Sequence, residues 1–137
     1  MKVLKTLTLL LMTSFMFSCE KTEDEVAPDA SDKTLVGLWI ISNTNFSGSD
    51  IPGDDSYLSF SDCDSSSCSG VDYKASNETS STFTYTLNGE VSIDIVDNDT
   101  SKGGNYNGVW DIQEYTISKL VLKKATMFGD MIITFEK

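Results

Sequence analysis

The sequence predicts an all-β domain: an eight-stranded antiparallel up-and-down barrel that follows a signal peptide and a short linker. Three observations carry this expectation. From residue 34 onward, apolar residues alternate with polar ones at a period of two, the mark of strands with one face buried. Short runs of Gly, Asn, Asp and Ser separate the alternating stretches, as chain reversals require. Long helical periodicity is absent beyond residue 34, so there is no crossover helix to join parallel strands.

Each element follows from its residues. Leu35-Val36-Gly37-Leu38-Trp39-Ile40-Ile41 is the first strand, apolar on both faces and therefore covered on both sides or closing one barrel end. Residues 43–55 hold two Gly, one Pro and several Ser, Asn and Asp, and read as a loop. Residues 57–63 alternate around Leu58 and Phe60, and residues 68–75 return as the hairpin partner with Val71 and Tyr73. Phe83, Tyr85 and Leu87 alternate with Thr82, Thr84 and Thr86. Asn88-Gly89 is a two-residue type I′ turn signal, after which Val91, Ile93 and Ile95 continue the apolar face.

Residues 97–104 form a polar loop. Residues 106–113 carry Gly108, Trp110 and Ile112 on one face, and residues 117–124 set Leu120 and Leu122 against Lys119, Val121 and Lys123. Residues 126–128 begin the last strand or a turn, Gly129-Asp130 bulges or turns it, and Met131, Ile133 and Phe135 close the domain. Eight strands suit a closed barrel, which removes exposed sheet edges; a sandwich of two sheets is the competing architecture. The inward set is Trp39, Ile41, Leu58, Phe60, Phe83, Tyr85, Leu87, Val91, Ile93, Ile95, Trp110, Ile112, Leu120, Leu122, Met131, Ile133 and Phe135.

Ahead of this domain, Lys2 and Lys5 supply a positive start to an uncharged, mostly apolar run over residues 6–17. That run is shorter than the roughly 20 residues a membrane span needs and fits the apolar region of a secretory signal. Residues 1–18 are read as the signal peptide, residues 19–33 as anchor and acidic linker, and residues 34–137 as the barrel. The whole chain carries 10 Lys against 21 Asp and Glu, a net charge of −11, with no Arg and no His. Loss of the signal removes two Lys and no acid, which takes the net charge to −13.

So acidic a chain without Arg is a poor nucleic-acid binder. Without His it lacks the commonest general base and metal ligand, and Ser-His-Asp and Cys-His catalysis are excluded.

Met16-Phe17-Ser18-Cys19 resembles a bacterial lipobox, and the acidic stretch from Glu20 resembles the export tag of surface lipoproteins in Bacteroidetes-type bacteria. The resemblance implies that Cys19 is cleaved free and acylated, which anchors the chain to the outer membrane, on its periplasmic side or at the cell surface. Assigning Cys19 to lipid leaves Cys63 and Cys68, an even pair that reads as a disulfide in an exported protein. Its short loop contributes less than the ~3 kcal/mol of a 15-residue loop. Two thiols without His are too few for a metal site, and their spacing is not that of a redox CxxC pair.

The barrel region resembles the lipocalin-like domains of small bacterial lipoproteins. Gly37-Leu38-Trp39 is similar to the Gly-x-Trp of their first strand. The stretch Phe83-Thr84-Tyr85-Thr86-Leu87-Asn88-Gly89-Glu90-Val91-Ser92-Ile93 is similar to their central hairpin. Trp110-Asp111-Ile112 followed by Leu120-Val121-Leu122 is similar to a late strand pair. The resemblance covers residues 34–137; it departs in lacking an Arg partner for Trp39, an N-terminal 3₁₀ segment and a C-terminal helix.

Trp39, Tyr85, Tyr106 and Trp110 are the candidate ligand-binding residues, because their rings offer apolar area with a polar handle. An eight-stranded barrel is just wide enough for its own side chains or for one small ligand, so a filled core and an open pocket both remain available. Asp97-Asn98-Asp99-Thr100-Ser101-Lys102-Gly103-Gly104 resembles the opening of a calcium loop but lacks its Gly at position 102 and its closing Glu; it is read as a solvated loop, as are Asp50, Asp54 and Asp55, with weak surface calcium binding as the alternative. No metal and no cofactor is expected.

Asp94 and Asp111 lie between apolar residues, as any outward strand residue does, and no catalytic residue is assigned. The expectation is a monomeric, non-catalytic envelope lipoprotein that binds a small apolar ligand, a glycan or an envelope partner. The alternatives are a filled interaction module without a ligand and, at lower weight, a carboxylate-based hydrolase.

Overall fold

The computed structural model describes residues 34–63, 68–102 and 106–137; the expected signal peptide, Cys19 and the linker lie outside the described residues. The chain forms β1 (Gly37–Phe46), β2 (Ser49–Pro52), β3 (Tyr57–Phe60), β4 (Cys68–Lys74), β5 (Thr79–Asn88), β6 (Ser92–Asp97), β7 (Gly108–Tyr115), β8 (Lys119–Thr126) and β9 (Gly129–Glu136). A 3₁₀ turn, Ala75–Asn77, joins β4 to β5. Every pairing is antiparallel, and β9 pairs back onto β1, so the sheet closes into a barrel rather than a sandwich. Eight strands make the closed wall. The ninth, β2, pairs with the second half of β1, while β3 pairs with the first half.

The expected loop at residues 43–55 is therefore largely a hairpin. β1 runs on to Phe46, reverses at Ser47-Gly48, both with positive φ, and returns as β2. Its exposed ladder is held by polar bonds: Asn43 and Asn45 both donate to Asp50 Oδ1, at 3.1 and 2.8 Å. Hydrophobic alternation cannot register a strand pair built this way. The turn after β5 also differs. Asn88 stays in the ladder opposite Ser92, and Gly89, Glu90 and Val91 make a three-residue connection. Val91 thus lies outside the ladder, 73% exposed, and Leu87, paired opposite Ile93 near the end of β5, is exposed instead of buried inside.

The remaining inward set fills the barrel, with Ile112 and Met131 partly buried at its edge. Trp39, Trp110, Phe60, Phe83 and Phe135 are the largest of its fully buried side chains. β4 presents Gly70 and Asp72 to the interior, and leaves Val71 and Tyr73 half-buried on the other face. Register sets this: Gly70 lies opposite both Phe60 and Phe83, whose rings take the space a side chain would need. The two rings meet edge to face, centroids 5.4 Å apart.

Two Gly-x-Trp segments close the barrel's two ends in the same way. The Trp39 indole N–H donates to Leu35 O at 2.7 Å, and that of Trp110 donates to Tyr106 O at 2.6 Å, each four residues back. Gly37 and Gly108 take φ of +122° and +100°, a conformation that turns the chain into the strand and that L side chains rarely adopt. A lysine covers each ring: Lys137 Nζ lies 4.8 Å from the Trp39 centroid and Lys124 Nζ 5.3 Å from that of Trp110. Each ammonium thus stands over an indole face at cation–π distance. β1 starts at the lower end and β7, running antiparallel to β6 and β8, starts at the upper end. At the lower end Cys63 and Cys68 are disulfide-bonded across the neck of the β3–β4 connection, with Cα atoms 4.3 Å apart.

Candidate functional site

β2 and β3 descend along the same side of β1 but are separated by residues 53–56. The chain crosses β1 closely there. Gly53 N donates to Ser42 O at 3.0 Å and Ile41 N donates to Ser56 O at 2.9 Å. A Cβ on Gly53 would stand 1.8 Å from Ile41 O, so glycine is required for this approach. Asp54 Oδ1 accepts from Ser56 N at 3.2 Å, Asp55 takes a φ of +65°, and Ser56 Oγ accepts from Ala75 N at 3.0 Å. β4 ends at Lys74, and β2 has β1 as its strand partner among the described residues. The upper barrel wall is therefore interrupted between β2 and the end of β4.

The interruption is a notch of ≈ 260 Å³, lined by Ile41, Thr44, Ile51, Pro52, Gly53, Asp54, Ser56, Asp72, Tyr73, Lys74 and Tyr106. Tyr106 comes from the β6–β7 connection and is buried, its ring centroid 6.2 Å from Trp110 and 6.5 Å from Phe135. Asp72 is 1% exposed. Burial first, then the negative charges of Asp72 and Asp54, push the Tyr106 phenol far above its ordinary range, so it stays protonated and able to donate. Hydrogen bonding from Ser56 holds the Asp54 carboxyl below its usual range despite a small opposing effect of burial, and Lys74 adds to the lowering. The notch lining thus includes an ionised carboxylate at its rim, a buried carboxyl group inside, one ammonium, two phenols and two hydroxyls.

The structure separates the four aromatic residues singled out in the sequence. Tyr106 lines the notch, and Trp110 supports it from below. Trp39 is wholly buried at the opposite end. Tyr85 is buried in the lower half, where its hydroxyl donates to Ser61 O at 3.0 Å beside Cys63. Sequence reasoning missed Asp72, Tyr73 and Lys74 as site residues. A usable signal was Gly70: once it is placed inward against Phe83, period two also turns Asp72 inward.

The loop at residues 97–102 uses its carboxylates internally. Asp97 Oδ1 accepts from Ser81 Oγ at 2.8 Å and from Asp99 N at 3.1 Å, while Asp99 accepts from Ser101 Oγ at 2.5 Å and pairs with Lys102 at 3.3 Å. No protein-family model, curated protein or solved structure matches the chain.

The Tyr106 shift sets an alkaline limit on stability. Its folded pKa lies above the ordinary 10.0, so the contribution of the neutral phenol is complete below that pH. It is lost as pH rises further, because the unfolded chain ionises first. Tyr106→Phe is expected to flatten the fall of unfolding temperature above pH 10.0 in thermal melts. An unchanged alkaline slope would contradict the placement of Tyr106.

Proposed function

We propose that this chain is a lipid-anchored cell-envelope protein that binds a small ligand in the lateral notch of an otherwise filled barrel, without catalysing a reaction. The notch carries the reading. It is a concave site with convergent polar groups and two phenols, at a place where the barrel wall is interrupted. Among the described residues, Trp39, Phe60, Phe83, Trp110 and Phe135 are the large side chains that fill the interior.

Anchoring rests on the lipobox-like Met16-Phe17-Ser18-Cys19 and on the charged residues after it. The described chain begins at the lower end, where Lys137 Nζ donates to Thr34 O at 2.9 Å. The notch lies towards the other end, and the residues between Cys19 and Thr34 can reach at most roughly 50 Å. A tether of that reach leaves the notch accessible from the side away from the membrane.

Catalysis is left out of the proposal. Glycoside hydrolysis uses two carboxyl groups flanking the bond, and in the notch only Asp72 is shielded while Asp54 is exposed.

One observation favours a second reading, an interaction module without a small ligand. The β8–β9 turn exposes Met127 and Phe128, at 90% and 75%, and Ser47 fastens it by donating through Oγ to Phe128 O at 2.7 Å. A fixed apolar tip suits a protein contact.

Cys19→Ala is expected to move the protein from the membrane to the soluble fraction and to abolish incorporation of labelled fatty acid. Continued membrane fractionation of the variant would refute lipid anchoring.

A further inference from the structure

We propose that the ligand of the notch is a small organic cation, a primary amine whose ammonium meets Asp54 and Tyr106 and whose hydrocarbon body covers Ile51. This inference rests on the reading of the notch as a small-ligand site and names its chemistry.

Two independent observations carry it. The first is a hydrogen-bonding group left over in the barrel wall. Tyr106 is 6% exposed, and among the described residues its hydroxyl has no hydrogen-bond partner. Its ring rests on Trp110 and Phe135. The two carboxyl groups that act on its phenol, Asp72 and Asp54, both line the notch, so the hydroxyl faces that space. A buried hydroxyl is costly to leave without a partner, and a ligand in the notch supplies one.

The second observation is charge. Residues 49–56 and 72–78 frame the notch, and they carry Asp50, Asp54, Asp55, Asp72 and Glu78 against Lys74 alone. Lys74 does not cancel them. It is exposed, makes no ion pair among the described residues, and is the smallest of the influences on the Asp54 carboxyl. The chain as a whole is acidic, at −11, which raises the concentration of cations near it.

An ammonium answers both observations. Its N–H groups donate to the Asp54 carboxylate at the rim and to the phenol oxygen of Tyr106 inside. Asp72 contributes through its charge and keeps the interaction it already has. Tyr73, whose ring stacks on Tyr57 on the outer face of β4, takes no part. Among the described residues no three acidic or sulfur side chains come together to hold a metal ion, so the cation is an organic one. The lining also has an apolar side. Ile51 is 55% exposed, with Pro52 and Ile41 beside it in the lining, and a hydrocarbon group there takes its surface out of water. The notch, at ≈ 260 Å³, is below the ~300 Å³ at which sites for drug-sized ligands begin, so the amine carries one small group and not a long chain.

The test uses the full chain in a non-ionic detergent at neutral pH. The probes share one carbon skeleton: 3-methylbutylamine, 3-methylbutan-1-ol and 3-methylbutanoate. Binding is read by amide and tyrosine-ring shifts. The expected result is that the amine binds with a Kd of about 1 mM or below and shifts residues 51–56 and 106. The alcohol and the carboxylate are expected to bind at least about tenfold more weakly.

Asp54→Asn keeps an acceptor for Ser56 N and loses the charge; it is expected to weaken the amine about tenfold and to leave the alcohol unchanged. Tyr106→Phe keeps the ring and is expected to weaken the amine about threefold or more while the thermal melt shows a folded barrel. An amine whose binding both variants leave unchanged overturns the proposal. So do amine shifts spread equally over the acidic loop at residues 97–102, which report only the attraction of an acidic surface. The alcohol or the carboxylate binding at the notch as well as the amine overturns the cation but keeps the ligand notch. No shift at those residues from any probe overturns both.

Discussion

Trp39→Ala is expected to lower the unfolding temperature by about 12 °C or more. Trp39 is 0% exposed, and replacing a buried aromatic residue by alanine costs about 3–5 kcal/mol. A domain of this size loses roughly 4–8 °C for each kcal/mol. Three losses coincide at this position. The cavity opens at the lower end of the barrel, where Leu58 lies across the ladder and the Tyr115 centroid is 6.4 Å away. Leu35 O loses the indole N–H that it accepts at 2.7 Å. Lys137 loses the ring beneath its ammonium. Thermal melts followed by circular dichroism measure the sum. An unfolding temperature within about 3 °C of the parent would mean that Trp39 carries less than about 1 kcal/mol and is not a core residue.

Gly70→Ala is expected to destabilise the barrel by about 1–3 kcal/mol, although it adds a single methyl group. The added Cβ would stand 2.2 Å from Phe83 Cζ and 2.5 Å from Ser59 O. The ring can yield, but only by disturbing its edge-to-face contact with Phe60. The carbonyl belongs to β3 and cannot yield without moving that strand. Phe83→Leu in the same chain is therefore expected to recover part of the loss and not all of it, and a double-mutant cycle would show coupling between the two positions. A Gly70→Ala protein that melts with the parent would contradict the register of β3, β4 and β5.

The same residues explain how far the sequence could be read. The strands holding Phe83, Tyr85, Ile93, Ile95, Leu120, Leu122, Ile133 and Phe135 were legible because apolar side chains occupy one face and Thr, Lys or Asp interleave with them. β2 was hidden because Asn43, Asn45 and Asp50 hold the β1–β2 ladder with amide–carboxylate bonds. β4 was recognised as a strand, but its inward residues are Gly70 and Asp72, so its hydrophobicity points outward, at Val71 and Tyr73.

For the site, Tyr106 stood out as an aromatic residue that offers apolar area with a polar handle. Trp39 and Trp110 stood out equally, yet both lie under lysines, and the lysine over Trp39 is 98 residues away in the chain. The notch itself depends on where β4 stops and on how Gly53 crosses Ile41 O. Both are contacts between distant segments, and no local pattern encodes them.

The central claim is that this barrel binds at its notch and not in its interior. The most direct measurement is amide and aromatic shift mapping of the labelled full chain against a library of small fragments. The account predicts that the binders cluster on residues 51–56, 72–74 and 106, and leave the ring signals of Trp39, Phe60 and Phe83 in place. Binders that cluster on those interior rings, or that fail to cluster at the notch at all, would contradict it.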